Sequence, residues 1–105
     1  MIVIATDLHG VTDALRQQCE SMTHQPILWL SQWDTALNPY PAEKTAHVAF
    51  LAQDGFSRYV DKIEGTLVQQ GEKVTDLLGF SVGATAAWLY ASSNSVSPNL
   101  SVWLF

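Results

Sequence analysis

The chain reads as an α/β domain built on a parallel sheet of at least four strands with helices on both faces. Three features predict this. Apolar segments of strand length at residues 2–6, 26–31, 74–80 and 100–105 alternate with segments whose apolar residues fall at helical spacing. Alternation of that kind implies parallel strands joined by right-handed crossovers. The 105 residues, 48% hydrophobic and 14% charged, are enough to bury one core and too few for a second, so a single domain is expected.

Residues 2–6 form a continuous apolar run with β-branched members, the pattern of a strand covered on both faces. After a loop at 7–11, Thr12 can cap a helix in which Val11, Ala14, Leu15, Cys19 and Met22 share one side, with Asp13 favourably placed in the first turn. That helix should end near Thr23, ahead of Pro26. Residues 26–31 then complete a strand–helix–strand unit. Asn38, Pro39 and Pro41 make 32–43 a loop, and it leaves the second strand at the end where α/β proteins place ligands.

Residues 45–53 suit a short helix through Ala46, Ala49, Phe50 and Gln53, although HVAFL could also be a strand. Over 57–70, Tyr59, Val60, Ile63, Leu67 and Val68 take one face while Arg58, Asp61, Lys62 and Glu64 take the other. This is an amphipathic helix closed by Gly71. A strand at 74–80, an alanine-rich helix at 82–91, a turn at 92–99 and a last strand at 100–105 follow. Trp29, Trp88 and Trp103 fall in regular elements and are expected in the core. Trp33, in a loop beside Asp34, is expected to wall a pocket for an apolar acyl or ring group.

The net charge is −5, and Arg16, Lys44, Arg58, Lys62 and Lys73 are scattered singly. No basic stripe exists to neutralise a run of phosphates, so nucleic acid and anionic membrane are not expected partners. No apolar run approaches the roughly 20 residues of a membrane helix. The opening MIVIATDLHG lacks a basic segment and reaches Asp7 too early for a signal sequence. Cys19 is the single cysteine, expected as a buried free thiol in a cytoplasmic protein. No metal or cofactor is expected.

The stretch GFSVGATAAWLY carries the chemistry. Gly79, Ser81 and Gly83 fit G-x-S-x-G where a strand hands over to a helix. At such an elbow the serine takes a strained backbone conformation that lifts its hydroxyl above the sheet, and small neighbours keep strand and helix apart. Gly79, Gly83, Ala84, Ala86 and Ala87 are small where the crowding would occur. The Val82 N–H, at the start of the following helix, could stabilise an oxyanion.

From IVIATDLHG through PILWLS to VTDLLGFSVGATAAWLY, the chain resembles α/β-hydrolases, and within them the dienelactone-hydrolase group. The resemblance runs from the first residues to Phe105 and covers the front and central part of that fold. It implies a partial α/β-hydrolase fold and an esterase, thioesterase or lactonase-type reaction on a small ester or acyl substrate. Ser81 would be the nucleophile, Val82 N–H one oxyanion donor and the N–H of Leu8 or His9 the other, with Asp7 near the site. The group often carries cysteine where Ser81 stands, which places this chain nearer its esterase-like members.

The departure from the family is as informative. Its acid and histidine follow the nucleophile on later strands, and no Asp, Glu or His follows Ser81 here. The expectation is the front portion of a longer hydrolase or a truncated one, whose triad acid and base are missing from this chain. His9, with Asp7 two residues away, is the histidine best placed to face Ser81; His24 reads as a surface residue, and His47 as an ordinary exposed or packed one unless its segment covers the site. D-L-H-G after the first strand also matches the opening of calcineurin-like metallophosphoesterases, but their downstream G-D and G-N-H motifs are absent. A third reading is non-catalytic. An exposed apolar sheet edge would join two copies into a homo-oligomer or a binding module.

Overall fold

The protein is described from a computed structural model covering residues 1–93 and 96–105. Four short parallel strands form one sheet in the order β2-β1-β3-β4, with β1 at Ile2–Ala5, β2 at Ile27–Leu30, β3 at Asp76–Gly79 and β4 at Ser101–Leu104. Ile4 pairs with Trp29 on one side and Leu78 on the other, and Leu78 with Trp103. The helices are α1 at Asp13–Glu20, α2 at Glu43–Ala52, α3 at Gly55–Gln70 and α4 at Val82–Ser93, with a 3-10 turn at Gly71–Lys73 before β3. The alternation of strand and helix is as the sequence predicts, and 45–53 is helical. Of the predicted turn at 92–99, residues 94 and 95 lie outside the described residues.

Local chemistry accounts for the boundaries. Thr12 caps α1 by accepting the Leu15 N–H at 3.2 Å. Gly71, at φ +60°, closes α3 in a conformation that other residues adopt at a cost. The strands alternate between two faces of the sheet. Val3, Ala5, Leu30 and Leu77 face Tyr59 and Ile63 of α3 and Val82, Ala86, Ala87 and Tyr90 of α4, and together these form the buried core. Burying a side chain such as Ile63 contributes about 1.5–3 kcal/mol. Val68, grouped by its spacing with that apolar face, is exposed instead.

Among the described residues, α1 is the helix that covers the opposite face. Leu15, Cys19 and Met22 stand over Ile2, Ile4, Ile27 and Leu78, leaving between them a cavity of about 330 Å³ that reaches Phe80 and Phe105. Arg16 lies 5.5 Å from the centroid of Trp29 and pairs with Glu20 at 3.7 Å. Cys19 is half-buried rather than buried, and burial pushes its thiol pKa up.

The tryptophans reverse the expected pattern. Trp88 and Trp103 are 56% and 52% exposed, and Trp29 is half-buried. Trp33, from a loop, is 6% exposed and packs against Tyr40 and Phe50. The reason is coverage. α1 spans eight residues and leaves β4 bare, so Trp103 and Phe105 have no layer above them. Among the described residues no helix is long and apolar enough to cross a membrane.

Candidate active site

Strand order places the site. The chain leaves β1 toward β2 on one side and leaves β3 toward β4 on the other, so connections diverge from the crevice between the ends of β1 and β3. Open α/β sheets bind ligands at such a switch point. Thr6 to Gly10 leaves β1 there, and Phe80 to Gly83 leaves β3 beside it.

Ser81 is exposed and stands at φ +55°, in the left-handed region, where a residue with a Cβ pays about 1–2 kcal/mol. Its neighbours hold it there. Phe80 N–H donates to Ala5 O at 3.0 Å, Ser81 N–H to Phe105 O at 2.9 Å, and Gly83 N–H to Phe80 O at 2.9 Å. The small residues are required by contact. A Cβ on Gly79 would stand 2.5 Å from Gly83 O, and one on Gly83 would run into the carbonyl oxygen of Ala5. Val82 N–H opens α4 and has no backbone acceptor among the described residues, which leaves it available to an anionic atom.

The loop after β1 is rigidly built. Asp7 O accepts the Gly10 N–H at 3.1 Å, and Asp7 Oδ1 accepts the His9 N–H at 2.9 Å. The Trp33 indole N–H donates to Leu8 O at 2.7 Å, while Val11 N–H and Asn38 N–H tie the segment to the loop after β2. Gly10, at φ +79°, is needed because a Cβ would overlap the Ala36 carbonyl. One expectation is corrected here. His9 N–H is committed to the Asp7 carboxylate and is no free oxyanion donor; among the described residues Leu8 N–H has no such partner. Asp7 is half-buried, serves that turn, and lines none of the four cavities described.

His9 is exposed, as are His24 and His47, and among the described residues no hydrogen bond joins the Ser81 hydroxyl to a histidine or a carboxylate. Ser81 also lines none of the four cavities. The largest, about 470 Å³ beside Val74, Tyr90 and Leu100, lies at the opposite end of the sheet.

Trp33 and Asp34 do line a cavity, of about 170 Å³, at the end of β2. Gln32, Thr35, Pro39, Tyr40, Gln53 and Arg58 complete it, so its wall is largely polar and unlike the apolar acyl pocket expected around Trp33. The loop carrying it is anchored by Lys62, whose ammonium donates to Ser31 O at 2.6 Å and Trp33 O at 3.2 Å. Burial lowers the Lys62 pKa, and the Asp34 charge opposes that shift. Neither Lys62 nor Tyr59, whose hydroxyl donates to Thr6 O and Leu30 O, stood out in the sequence, because spacing assigns a helical face but no hydrogen-bond partner.

The fold and this junction define an α/β protein with a strand–turn–helix elbow at the switch point of its sheet. No family model matches the chain, and no curated protein or solved structure matches it.

Proposed function

We propose that Ser81 is the nucleophile of a hydrolase acting on small carboxylic esters, thioesters or lactones. The observation that carries this is the combination at residue 81 of a left-handed backbone and an exposed side chain, held between β3 and α4 by Gly79 and Gly83. A strained serine at the end of a strand is a feature of nucleophile elbows, and the resemblance of GFSVGATAAW to α/β-hydrolases supports the same reading. In this mechanism the Ser81 hydroxyl oxygen attacks the carbonyl carbon and its proton passes to a base. Val82 N–H and Leu8 N–H stabilise the oxyanion. Residues 82–105 contain no Asp, Glu or His to act as that base, so it is supplied from elsewhere, His9 on the loop that leaves β1 being one candidate. A fluorophosphonate probe tests the idea by forming a bond from phosphorus to Ser81 Oγ with loss of fluoride. The folded chain should label, and Ser81→Ala should abolish labelling. Folded chain that stays unlabelled counts against a nucleophilic role.

A second reading rests on β4, the outer strand, with Phe105 66% exposed beside it. Ser101 N–H and Phe105 N–H point into the sheet, so the alternate donors, Val102 and Leu104, face outward. Two copies would pair β4 against β4 about a two-fold axis. Light scattering after size exclusion should then give a dimer that Val102→Pro converts to monomer, since proline removes an outward donor and spares the pairing to β3. A monomeric parent chain excludes this reading.

A further inference from the structure

We propose that the cavity at the end of β2 binds a small zwitterion of amino-acid size, its carboxylate held by Arg58 and its ammonium by Asp34. The site needs no nucleophilic role for Ser81. Arg58 and Asp34 line the same cavity of about 170 Å³, yet the ion pair within 4.0 Å among the described residues is Arg16–Glu20. Two opposite charges share one space without neutralising each other. Among the described residues Arg58 makes one side-chain hydrogen bond, from Nη1 to Gln53 Oε1 at 3.4 Å, which leaves most of its five donors for a carboxylate. Asp34 makes no hydrogen bond among the described residues, and Lys62, the cation that acts on it, is already engaged with two backbone carbonyls.

Gln32 supplies an independent observation. Both of its amide atoms are buried with no hydrogen-bond partner among the described residues, and Gln32 lines this cavity. Buried polar atoms in folded proteins are almost always paired, so a donor and an acceptor are both owed to this residue. Those two atoms expose less than 1 Å² each, so they meet a ligand once the side chain turns into the cavity, and a zwitterion offers them both a donor and an acceptor. An isolated anion would meet the Asp34 charge unpaired, and an isolated cation would meet Arg58 in the same way.

Size is consistent. At roughly 30 Å³ for each water, the cavity holds about six water molecules, comparable to one small amino acid. Trp33 and Tyr40, with ring centroids 5.4 Å apart, form a wall against which a short side chain can rest. Trp33 also connects the cavity to the loop after β1, because its indole N–H is bonded to Leu8 O.

The test is a titration of the isotope-labelled full chain followed by heteronuclear NMR. L-alanine, propionate and ethylamine serve as zwitterion, anion and cation, each taken to ~50 mM, a range that detects millimolar affinity. L-alanine should move the Trp33 indole signal and the Gln32 side-chain amide signals. Propionate and ethylamine should bind at least about tenfold more weakly than L-alanine. Arg58→Met and Asp34→Asn should each weaken L-alanine by about tenfold in chains whose spectra remain those of the folded parent. The proposal is overturned if L-alanine leaves the Trp33 indole unmoved, if propionate binds as tightly as L-alanine, or if both variants bind L-alanine like the parent.

Discussion

Gly83→Ala is expected to destabilise the fold by about 3 kcal/mol, although it adds one methyl group in a helix that should welcome alanine. The Cβ would lie against Ala5 O, Ala5 C and Thr6 O, backbone atoms at the end of the central strand and of the residue that follows it. A side chain could turn aside. A strand paired on both edges cannot, because moving β1 disturbs its ladders with β2 and β3. The loss is a large share of the 5–15 kcal/mol available to a domain of this size. Gly65→Ala is the matched control. Its Cβ meets nothing within 4 Å, so it should stabilise α3 by about 0.5–1 kcal/mol. Urea unfolding of the two variants measures the contrast, with the Gly83→Ala midpoint falling by roughly 1.5 M if the slope is about 2 kcal/mol per molar. Shifts of the same sign would mean that α4 does not approach β1 closely at this point.

Tyr59→Phe should cost about 2 kcal/mol at neutral pH and remove part of the alkaline sensitivity of the protein. Tyr59 is 1% exposed, and its hydroxyl donates to Thr6 O at 2.9 Å and Leu30 O at 3.1 Å, where β1 and β2 end. Leu30 O keeps the Thr6 N–H when the hydroxyl is deleted. Thr6 O is left buried without a donor, and that is where the cost arises. Burial raises the phenol pKa well above its ordinary value of about 10, with the Asp7 charge adding to the shift. The sign follows from which state ionises first. Below pH 10 folded and unfolded chains both keep the proton and stability is fully present. Above pH 10 the unfolded chain releases it first, so stability falls by up to ~1.4 kcal/mol per pH unit until the folded pKa is reached. Burial also raises Tyr90 and Cys19, so the variant should lose part of the slope and keep the remainder. Unfolding measured from pH 8 to 11 should show the two curves converging above pH 10. Parallel curves would place Tyr59 in a wetter setting.

Much of the fold was legible in the linear pattern because strand and helix periods are local properties. The run at residues 2–6, the Thr12 cap and the closing Gly71 each act over a few neighbours. The elbow was legible for the same reason. Close approach of strand and helix demands small residues on both sides of the turn, and Gly79, Ser81 and Gly83 meet that demand within five positions. The tryptophans were not legible. Trp103 sits in a strand and is half exposed, while Trp33 sits in a loop and is buried, because burial depends on which layer lies above a residue.

The amino-acid order by itself determined the alternating elements, the strained serine and the small residues around it, since each follows from interactions between near neighbours. Only the tertiary structure decided the strand order, the coverage of each face, the diversion of the His9 N–H to Asp7, and the meeting of Arg58 with Asp34 around one cavity. These depend on contacts between residues far apart in the chain, such as the Thr75 hydroxyl and the Met1 carbonyl, which are 74 apart. Local periodicity carries no record of such distant partners, because they are selected by how complete layers pack.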